Sequence, residues 1–138
     1  MSSDPLVSVV VPSYYRNDLL RSALDSVEDQ TYNNIETIVV DDSGEAFAES
    51  TAAEYDVTYI AHEENKGSQG ARNTALREAS GDYIQLLDDD DALHPEKIEK
   101  QVELLESSPD VGVAYCGINN RRGNDVLPTP RPGRSSLE

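Results

Sequence analysis

Short runs of apolar, mostly β-branched residues alternate along the chain with longer segments whose apolar residues recur every three or four positions. The short runs predict five strands, at 6–11, 35–40, 57–60, 83–87 and 111–116, and the first two are of the buried type. The longer segments predict four helices, at 18–28, 45–54, 68–79 and 95–105. Because strands that alternate with helices form βαβ units, the pattern predicts an α/β fold with a mostly parallel sheet and helices on both faces.

Unusual polar residues directly follow three of the predicted strands. Residues 12–14 (PSY) follow the first strand, residues 41–42 (DD) follow the second, and residues 88–91 (DDDD) follow the fourth. Ligands of open parallel sheets bind at the carboxyl ends of the strands, near a reversal in strand order. We therefore expect one ligand site built from these three loops.

The overall charge is strongly negative, with 11 basic and 27 acidic residues and a formal net charge of −16. Nucleic acid is excluded as a partner, because phosphate contacts need a clustered positive patch. A solvated acidic surface, adapted to high salt as in halophilic proteins, explains the total better than cation binding does. The single cysteine, Cys116, excludes a disulfide within the chain and leaves no zinc-binding spacing.

The four aspartates at 88–91 are a special case, because like charges a few ångströms apart raise one another's pKa unless a positive charge offsets them. A divalent cation is one such offset, and carboxylate oxygens suit Mg²⁺ or Mn²⁺. The alternative is a solvated acidic loop that interacts with the dipole of the following helix. The residues alone leave both interpretations open.

Three other site types fit the sequence poorly. A calcium-binding EF-hand loop that starts at Asp88 would need glycine at its sixth position, where Leu93 stands. A phosphohydrolase of the Asp-x-Asp-x-Thr/Val type would need Thr or Val where Ala92 stands, and that motif normally follows the first strand. A dinucleotide site needs Gly-x-Gly-x-x-Gly after the first strand, and residues 12–16 contain no glycine.

An ordered series of short motifs resembles the family 2 glycosyltransferases, from about residue 6 to residue 116. The motifs are VSVVVPSY at 7–14, QTY at 30–32, IE at 35–36, VVDDS at 39–43, ENKG at 64–67, GARN at 70–73, SGDYI at 80–84, DDDD at 88–91 and PEKI at 95–98. Each motif is weak alone, whereas the ordered set is specific. The chain departs from the family pattern at two places. Tyr15 stands where asparagine is usual, and Ser43-Gly44 inverts the more frequent order Gly-Ser.

The resemblance implies a Rossmann-like GT-A fold, here truncated, that transfers a sugar from a nucleotide-sugar donor, often a UDP-sugar, with inversion and with Mn²⁺ or Mg²⁺. The implied donor-binding residues are Pro12, Tyr14, Asp42, Lys66, Gly67, Arg72, Asp88 and Asp89, and the implied metal ligand is Asp90. Tyr14 would stack on the base and Asp42 would accept a hydrogen bond from it, while Asp41 braces the loop. Arg72 would lie beside the donor, and Asp88 would contact the ribose.

We expect residues 1–118 to form the donor-binding subdomain and residues 119–138, rich in Pro, Gly and Arg, to form a flexible or truncated tail. No catalytic residue is expected within the chain, because the family's base lies beyond the fifth strand. We therefore expect donor binding with poor transfer. Exposed apolar surface left by truncation would favour a homo-oligomer.

The acceptor is not readable and stands open among saccharides, lipid-linked molecules and proteins. The sequence contains neither a signal peptide nor an apolar run of the ~20 residues that span a membrane, so we expect the cytoplasm. A lipid-linked acceptor would bring the full-length protein to the cytoplasmic face of the membrane. The alternative function is a non-catalytic module of the same fold that binds a nucleotide or a divalent cation.

Overall fold

The structure is a computed structural model that describes residues 4–110, 112–114, 120–122 and 125–127. Its strands are β1 (Val7–Ser13), β2 (Ile35–Asp41), β3 (Thr58–Ala61), β4 (Tyr83–Leu86), β5 (Asn120–Arg122) and β6 (Asp125–Leu127). Its helices are α1 (Asn17–Glu28), α2 (Glu49–Ala52), α3 (Gly67–Glu78) and α4 (Lys97–Ser107). The chain divides into two compact units, Met1–Glu99 and Lys100–Glu138, and the division falls inside α4.

The first unit contains a four-stranded parallel sheet with the order β3-β2-β1-β4. The connections through α1 and α2 step outward from β1 to β3, and the connection through α3 returns across the sheet to β4. Since such crossovers are right-handed, α3 lies on the face opposite to α1 and α2. The predicted α/β fold is therefore confirmed, and the strand order reverses between β1 and β4.

Small residues on α3 allow the helix to pack closely on one face of the sheet. Ala71 and Ala75 are fully buried there, against a cluster formed by Val10, Ile38 and Val40. On the opposite face of the sheet, the side chains that alternate with this cluster are also fully buried, namely Val9, Val11 and Val39. Burial on both faces is why β1 and β2 read as nearly continuous apolar runs.

Glu36 joins three segments at the amino ends of the strands. Its carboxylate accepts hydrogen bonds from the Ser8 hydroxyl and from the backbone N–H of Ser80, the latter at 2.7 Å. The Ser8 hydroxyl oxygen in turn accepts the Gly81 N–H at 2.8 Å. A Cβ at position 81 would lie 2.5 Å from the Ser8 Oγ, so glycine is needed for this close approach.

The Glu36 contacts predict a specific dependence of stability on pH. The Ser8 hydrogen bond, assisted by those from Ser80 and Gly81, lowers the pKa of Glu36 against the opposing effect of burial. A carboxyl whose pKa is lowered by folding stabilises the protein above its unfolded pKa, and this contribution is lost as the pH falls through the folded pKa. We expect the free energy of unfolding to decline less below about pH 4.5 in Glu36→Gln than in the unchanged protein. Urea titrations between pH 3 and pH 6 measure this, and equal slopes would contradict it.

Two predicted elements differ from the structure. The predicted helix at 45–54 is wrong in extent, because α2 contains only Glu49–Ala52. The Ser43 hydroxyl accepts the N–H groups of Glu45 and Phe47, at 3.1 and 3.2 Å, and Ala46 has a φ of 53°. A side chain that bonds nearby backbone N–H groups competes with the helix.

The second difference concerns the predicted strand at 111–116. Residues 112–114 are described and have no regular structure, whereas residues 111, 115 and 116 lie outside the described residues, and with them Cys116. The second unit does contain an antiparallel strand pair, in which Asn120 is in register with Leu127. This pair falls within the segment predicted as a tail.

Among the described residues, none of the helices has the length and apolar character needed to cross a membrane.

Candidate functional site

The carboxyl ends of β1, β2 and β4 lie side by side, as the sequence predicted. The Ser13 carbonyl accepts the Asp42 N–H at 2.8 Å, which joins the ends of β1 and β2. On the other side of β1, the Tyr14 N–H donates to Asp89 Oδ2 at 3.0 Å. The three loops singled out in the sequence thus meet at the reversal of strand order, where parallel sheets bind ligands.

Asp41 shapes the loop after β2. Its carboxylate, in a residue that is 1 % exposed, accepts hydrogen bonds from the Ser43 N–H at 3.0 Å, the Ala48 N–H at 2.7 Å and the Tyr59 hydroxyl at 2.6 Å. Burial alone would raise the pKa of Asp41, but these hydrogen bonds outweigh it and lower the pKa. Asp41 therefore braces the loop, as the sequence predicted, and points into the protein.

Asp42 is nearly buried, with 3 % of the residue exposed, and its carboxylate has two donors in the loop between β3 and α3. Its Oδ1 atom accepts the Lys66 N–H at 2.8 Å and lies 2.8 Å from His62 Nδ1. The other ring nitrogen of His62, Nε2, lies 2.8 Å from the Thr74 Oγ1 on α3. Sequence reasoning missed His62, although its position directly after β3 places it at the same edge of the sheet.

Three aromatic rings, those of Tyr14, Tyr15 and Phe47, pack in a row at the same edge of the sheet. Tyr14 is 50 % exposed, and its ring meets the Tyr15 ring edge to face with centroids 4.8 Å apart. Tyr15 has a φ of 54°, and its ring centroid lies 4.9 Å from that of Phe47. The Tyr15 hydroxyl donates to Glu45 at 2.8 Å, which anchors the ring. Tyr15 thus supports Tyr14 from one side and leaves half of the Tyr14 side chain open to solvent.

The four aspartates after β4 separate into two kinds. Asp88, Asp90 and Asp91 each offer a carboxylate oxygen, and these oxygens lie within 4.8 Å of one another. Asp89 instead points inward and accepts the Tyr14 N–H, and burial raises its pKa against that hydrogen bond. Burial and the neighbouring charges of Asp90 and Asp88 raise the pKa of Asp91. The three grouped carboxylates supply the oxygen ligands that Mg²⁺ and Mn²⁺ prefer, so the residues fit a divalent ion.

Two arginines contact this acidic cluster. Arg72 Nη2 lies 2.9 Å from Asp88 Oδ1, and its buried Nε–H has no hydrogen-bond partner in the part of the chain that the structure describes. Arg16 Nη1 lies 2.9 Å from Asp90 Oδ2 and 3.8 Å from Asp89 Oδ1. Sequence reasoning singled out Arg72 but missed Arg16, which lies two residues beyond the end of the first motif.

The remaining residues of the predicted site lie around Asp42. Lys66 has an exposed side chain, and Gly67, the first residue of α3, has a φ of 81°, which favours glycine. Pro12 lies in β1 in register with Val40. An open recess of about 480 Å³ borders the same region, and its lining residues are Ala61, His62, Glu63, Glu64 and Lys66.

Comparison with known proteins decides the family. The family model described as "Glycosyl transferase family 2" matches residues 8–135, nearly the whole chain. The chain belongs to glycosyl transferase family 2. The parallel sheet flanked by helices is accordingly a GT-A fold, and the resemblance seen in the sequence motifs is confirmed.

Relatives in this family are considerably longer than the chain. An "Uncharacterized glycosyltransferase" of Haemophilus influenzae is 38 % identical over 138 residues, a match that covers 96 % of this chain and 47 % of the relative. The mannosyltransferase PcManGT of Pyrobaculum calidifontis, solved with GDP-Man and Mn²⁺, superposes with a TM-score of 0.71 at 29 % identity, covering 80 % of this chain and 35 % of that one. Residues 1–349 of TarS from S. aureus, solved with UDP-GlcNAc, give 0.66 at 26 % identity, covering 74 % and 31 %. The chain thus spans about half of that relative and about a third of these solved structures.

Proposed function

We propose that this chain is the donor-binding part of an inverting glycosyltransferase that uses a UDP-sugar together with Mn²⁺ or Mg²⁺. The observation that carries the proposal is one sheet edge that combines an open aromatic ring, a fixed carboxylate and a group of carboxylates able to hold a cation. The complexes of PcManGT with GDP-Man and Mn²⁺, and of TarS with UDP-GlcNAc, support a donor of this class.

Tyr14 and Asp42 would bind the base. An exposed tyrosine ring offers the π face that stacking requires. The Asp42 carboxylate has one oxygen committed to Lys66 and His62, and a carboxylate oxygen can only accept. The partner would therefore be an N–H of the base, which uracil presents on its Watson–Crick edge. Guanine also presents a ring N–H, so GDP is the competing nucleotide that any binding experiment must include.

Asp88, Asp90 and Arg72 would face the ribose and the diphosphate. In this proposal Asp90 is the metal ligand, Asp88 contacts the ribose, and Asp91 is close enough to serve as a further ligand. A bound divalent ion would neutralise charge on the departing diphosphate. The unpaired Nε–H of Arg72 shows a hydrogen-bonding capacity that Asp88 alone does not fill, which suits a cation placed beside an anionic donor.

The proposal assigns no catalytic base to this chain. An inverting transfer needs a group that takes the proton of the acceptor hydroxyl. We propose that this group lies in the part of the longer relatives that this chain does not cover. The chain alone would then bind donor and transfer sugar poorly. In the same proposal, the acceptor is a saccharide, a lipid-linked molecule or a protein. The proposed location is the cytoplasm or the cytoplasmic face of the membrane.

Self-association also remains a proposal, with one candidate surface. Ile84 and Leu86 lie on the same face of β4, at the end of the four-stranded sheet, and are 44 % and 53 % exposed. Exposed neighbouring apolar side chains of this kind favour contact with another copy of the chain.

The stacking role of Tyr14 gives the first test of the proposed site. Replacement by alanine should weaken UDP binding roughly 5- to 100-fold, because stacking contributes about 1–3 kcal/mol per base. Replacement by phenylalanine keeps the π face and should leave the affinity nearly unchanged. Calorimetric titration of both variants with UDP and Mn²⁺ measures the difference. Equal affinities for Tyr14→Ala and Tyr14→Phe would show that the ring does not stack on the base.

A further inference from the structure

We propose that His62 is a positioning residue, which fixes the Asp42 carboxylate so that one of its oxygens is presented to the nucleotide base. This inference rests on the proposed function, because it concerns the base-binding end of that site. In this proposal His62 does not contact the donor and acts through Asp42.

The His62 ring has one fixed orientation. The residue is 7 % exposed, and both ring nitrogens have partners at 2.8 Å, Asp42 Oδ1 for Nδ1 and Thr74 Oγ1 for Nε2. Because a carboxylate only accepts, Nδ1 carries the proton in its bond to Asp42. Thr74 Oγ1 also lies 3.1 Å from the Gly70 carbonyl oxygen, which keeps the Thr74 side chain in place beside the ring.

The His62 ring fixes the Asp42 carboxylate. Oδ1 receives two donors, the His62 Nδ1–H and the Lys66 N–H, which come from the two ends of the loop between β3 and α3. Within the described residues no hydrogen bond reaches Oδ2. Rotation of the carboxylate would break both bonds to Oδ1, so Oδ2 is the oxygen that stays available for a ligand. Groups fixed in this way before binding lose less entropy when the ligand arrives.

The effect of losing His62 should be confined to the base-binding end of the site. Thr74 and Arg72 lie on the same helix, α3, but Arg72 contacts Asp88 whereas Thr74 contacts His62. Loss of the His62 ring would therefore leave Asp42 with the Lys66 N–H as its remaining donor, while the acidic cluster and its arginine stay in place. A positioning role predicts weaker recognition of the base without weaker recognition of metal and diphosphate.

The test compares His62→Ala with His62→Asn by calorimetric titration in the presence of Mn²⁺, using UDP and, as a probe without a base, pyrophosphate. Asparagine keeps a donor near the place of Nδ1, and alanine keeps none. We expect His62→Ala to bind UDP about 10-fold more weakly, in line with the effect of removing the residue that orients a ligand-binding group, and His62→Asn to stay within about threefold of the unchanged chain. Pyrophosphate should bind all three proteins equally. His94→Ala, which removes the other and exposed histidine, should change neither affinity.

A merely structural role would lower the affinities for UDP and pyrophosphate together, in step with the melting temperature, and would overturn the inference. Undiminished UDP binding by His62→Ala would overturn it as well. If the unchanged chain binds no UDP, the proposed function fails first and the inference fails with it.

A measurement without nucleotide separates these cases. In ¹⁵N NMR the Nδ1 of His62 should carry a proton that Asp42→Ala releases to exchange, and the His94→Ala spectrum assigns the ring. A proton that is absent from Nδ1, or that is unaffected by Asp42→Ala, would show that the proposed link itself does not exist.

Discussion

Replacement of Asp90 by asparagine is expected to remove the dependence of UDP binding on Mn²⁺. The three grouped carboxylates of the acidic cluster would lose one charged ligand, and the affinity for UDP in the presence of Mn²⁺ should fall by at least about 10- to 100-fold, which is the effect of removing residues that only support the ligands of a metal. Calorimetric titration of UDP with and without Mn²⁺ measures the loss. The variant should still melt as a folded protein, because Asp90 is exposed and its partner in the structure is the equally exposed Arg16.

The matched control for this variant is Asp56→Asn. Asp56 is an exposed aspartate, so its replacement makes the same change in net charge away from the cluster. If both variants weaken Mn²⁺-dependent binding equally, the effect comes from the overall charge of −16 and not from a metal ligand at position 90. Retention of full Mn²⁺ dependence in Asp90→Asn would remove Asp90 from the proposed metal site.

The largest expected effect on stability belongs to Asp41. Its replacement by alanine would leave the N–H groups of Ser43 and Ala48 and the Tyr59 hydroxyl without their acceptor inside the protein. Each buried donor left unpaired costs about 1–3 kcal/mol, and Asp41 accepts from all three of these donors. We expect Asp41→Ala to lower the free energy of unfolding by about 4 kcal/mol, a large part of the total for a domain of this size.

Urea unfolding monitored by circular dichroism measures this loss, with Tyr59→Phe as the graded comparison. That variant removes one donor and leaves the Asp41 carboxylate with its two backbone partners, so about 1 kcal/mol should be lost. If Asp41→Ala loses less free energy of unfolding than Tyr59→Phe does, the loop is not held by this carboxylate.

The fold was predictable where burial dictates sequence. β1 and β2 are buried on both faces, so their residues read as nearly continuous apolar runs and their bounds were predicted within two residues. The helix at 45–54 could not be predicted in the same way, because hydrogen bonds from the Ser43 side chain decide against it locally. The placement of the three polar loops at one edge followed from the rule for parallel strands.

The detailed site could be predicted only in part. The four aspartates at 88–91 are chemically identical in sequence, and only the Tyr14 N–H distinguishes the inward Asp89 from its neighbours. His62 acquires its position from Asp42, 20 residues before it, and Thr74, 12 residues after it. Contacts of this range have no local signature, whereas two of the Asp41 contacts that brace the loop are local, with the N–H groups of Ser43 and Ala48.

We propose above all that this chain binds a UDP-sugar donor through a cation at the carboxyl ends of β1, β2 and β4. Titration calorimetry of the full chain with UDP, in the presence and absence of Mn²⁺ and with GDP as the competing nucleotide, tests it most directly. The buffer should be rich in salt, which screens the repulsion within an acidic protein. The account predicts that UDP binds more tightly than GDP and that Mn²⁺ tightens UDP binding at least about tenfold. A protein shown to be folded that binds neither nucleotide, with or without Mn²⁺, would contradict it.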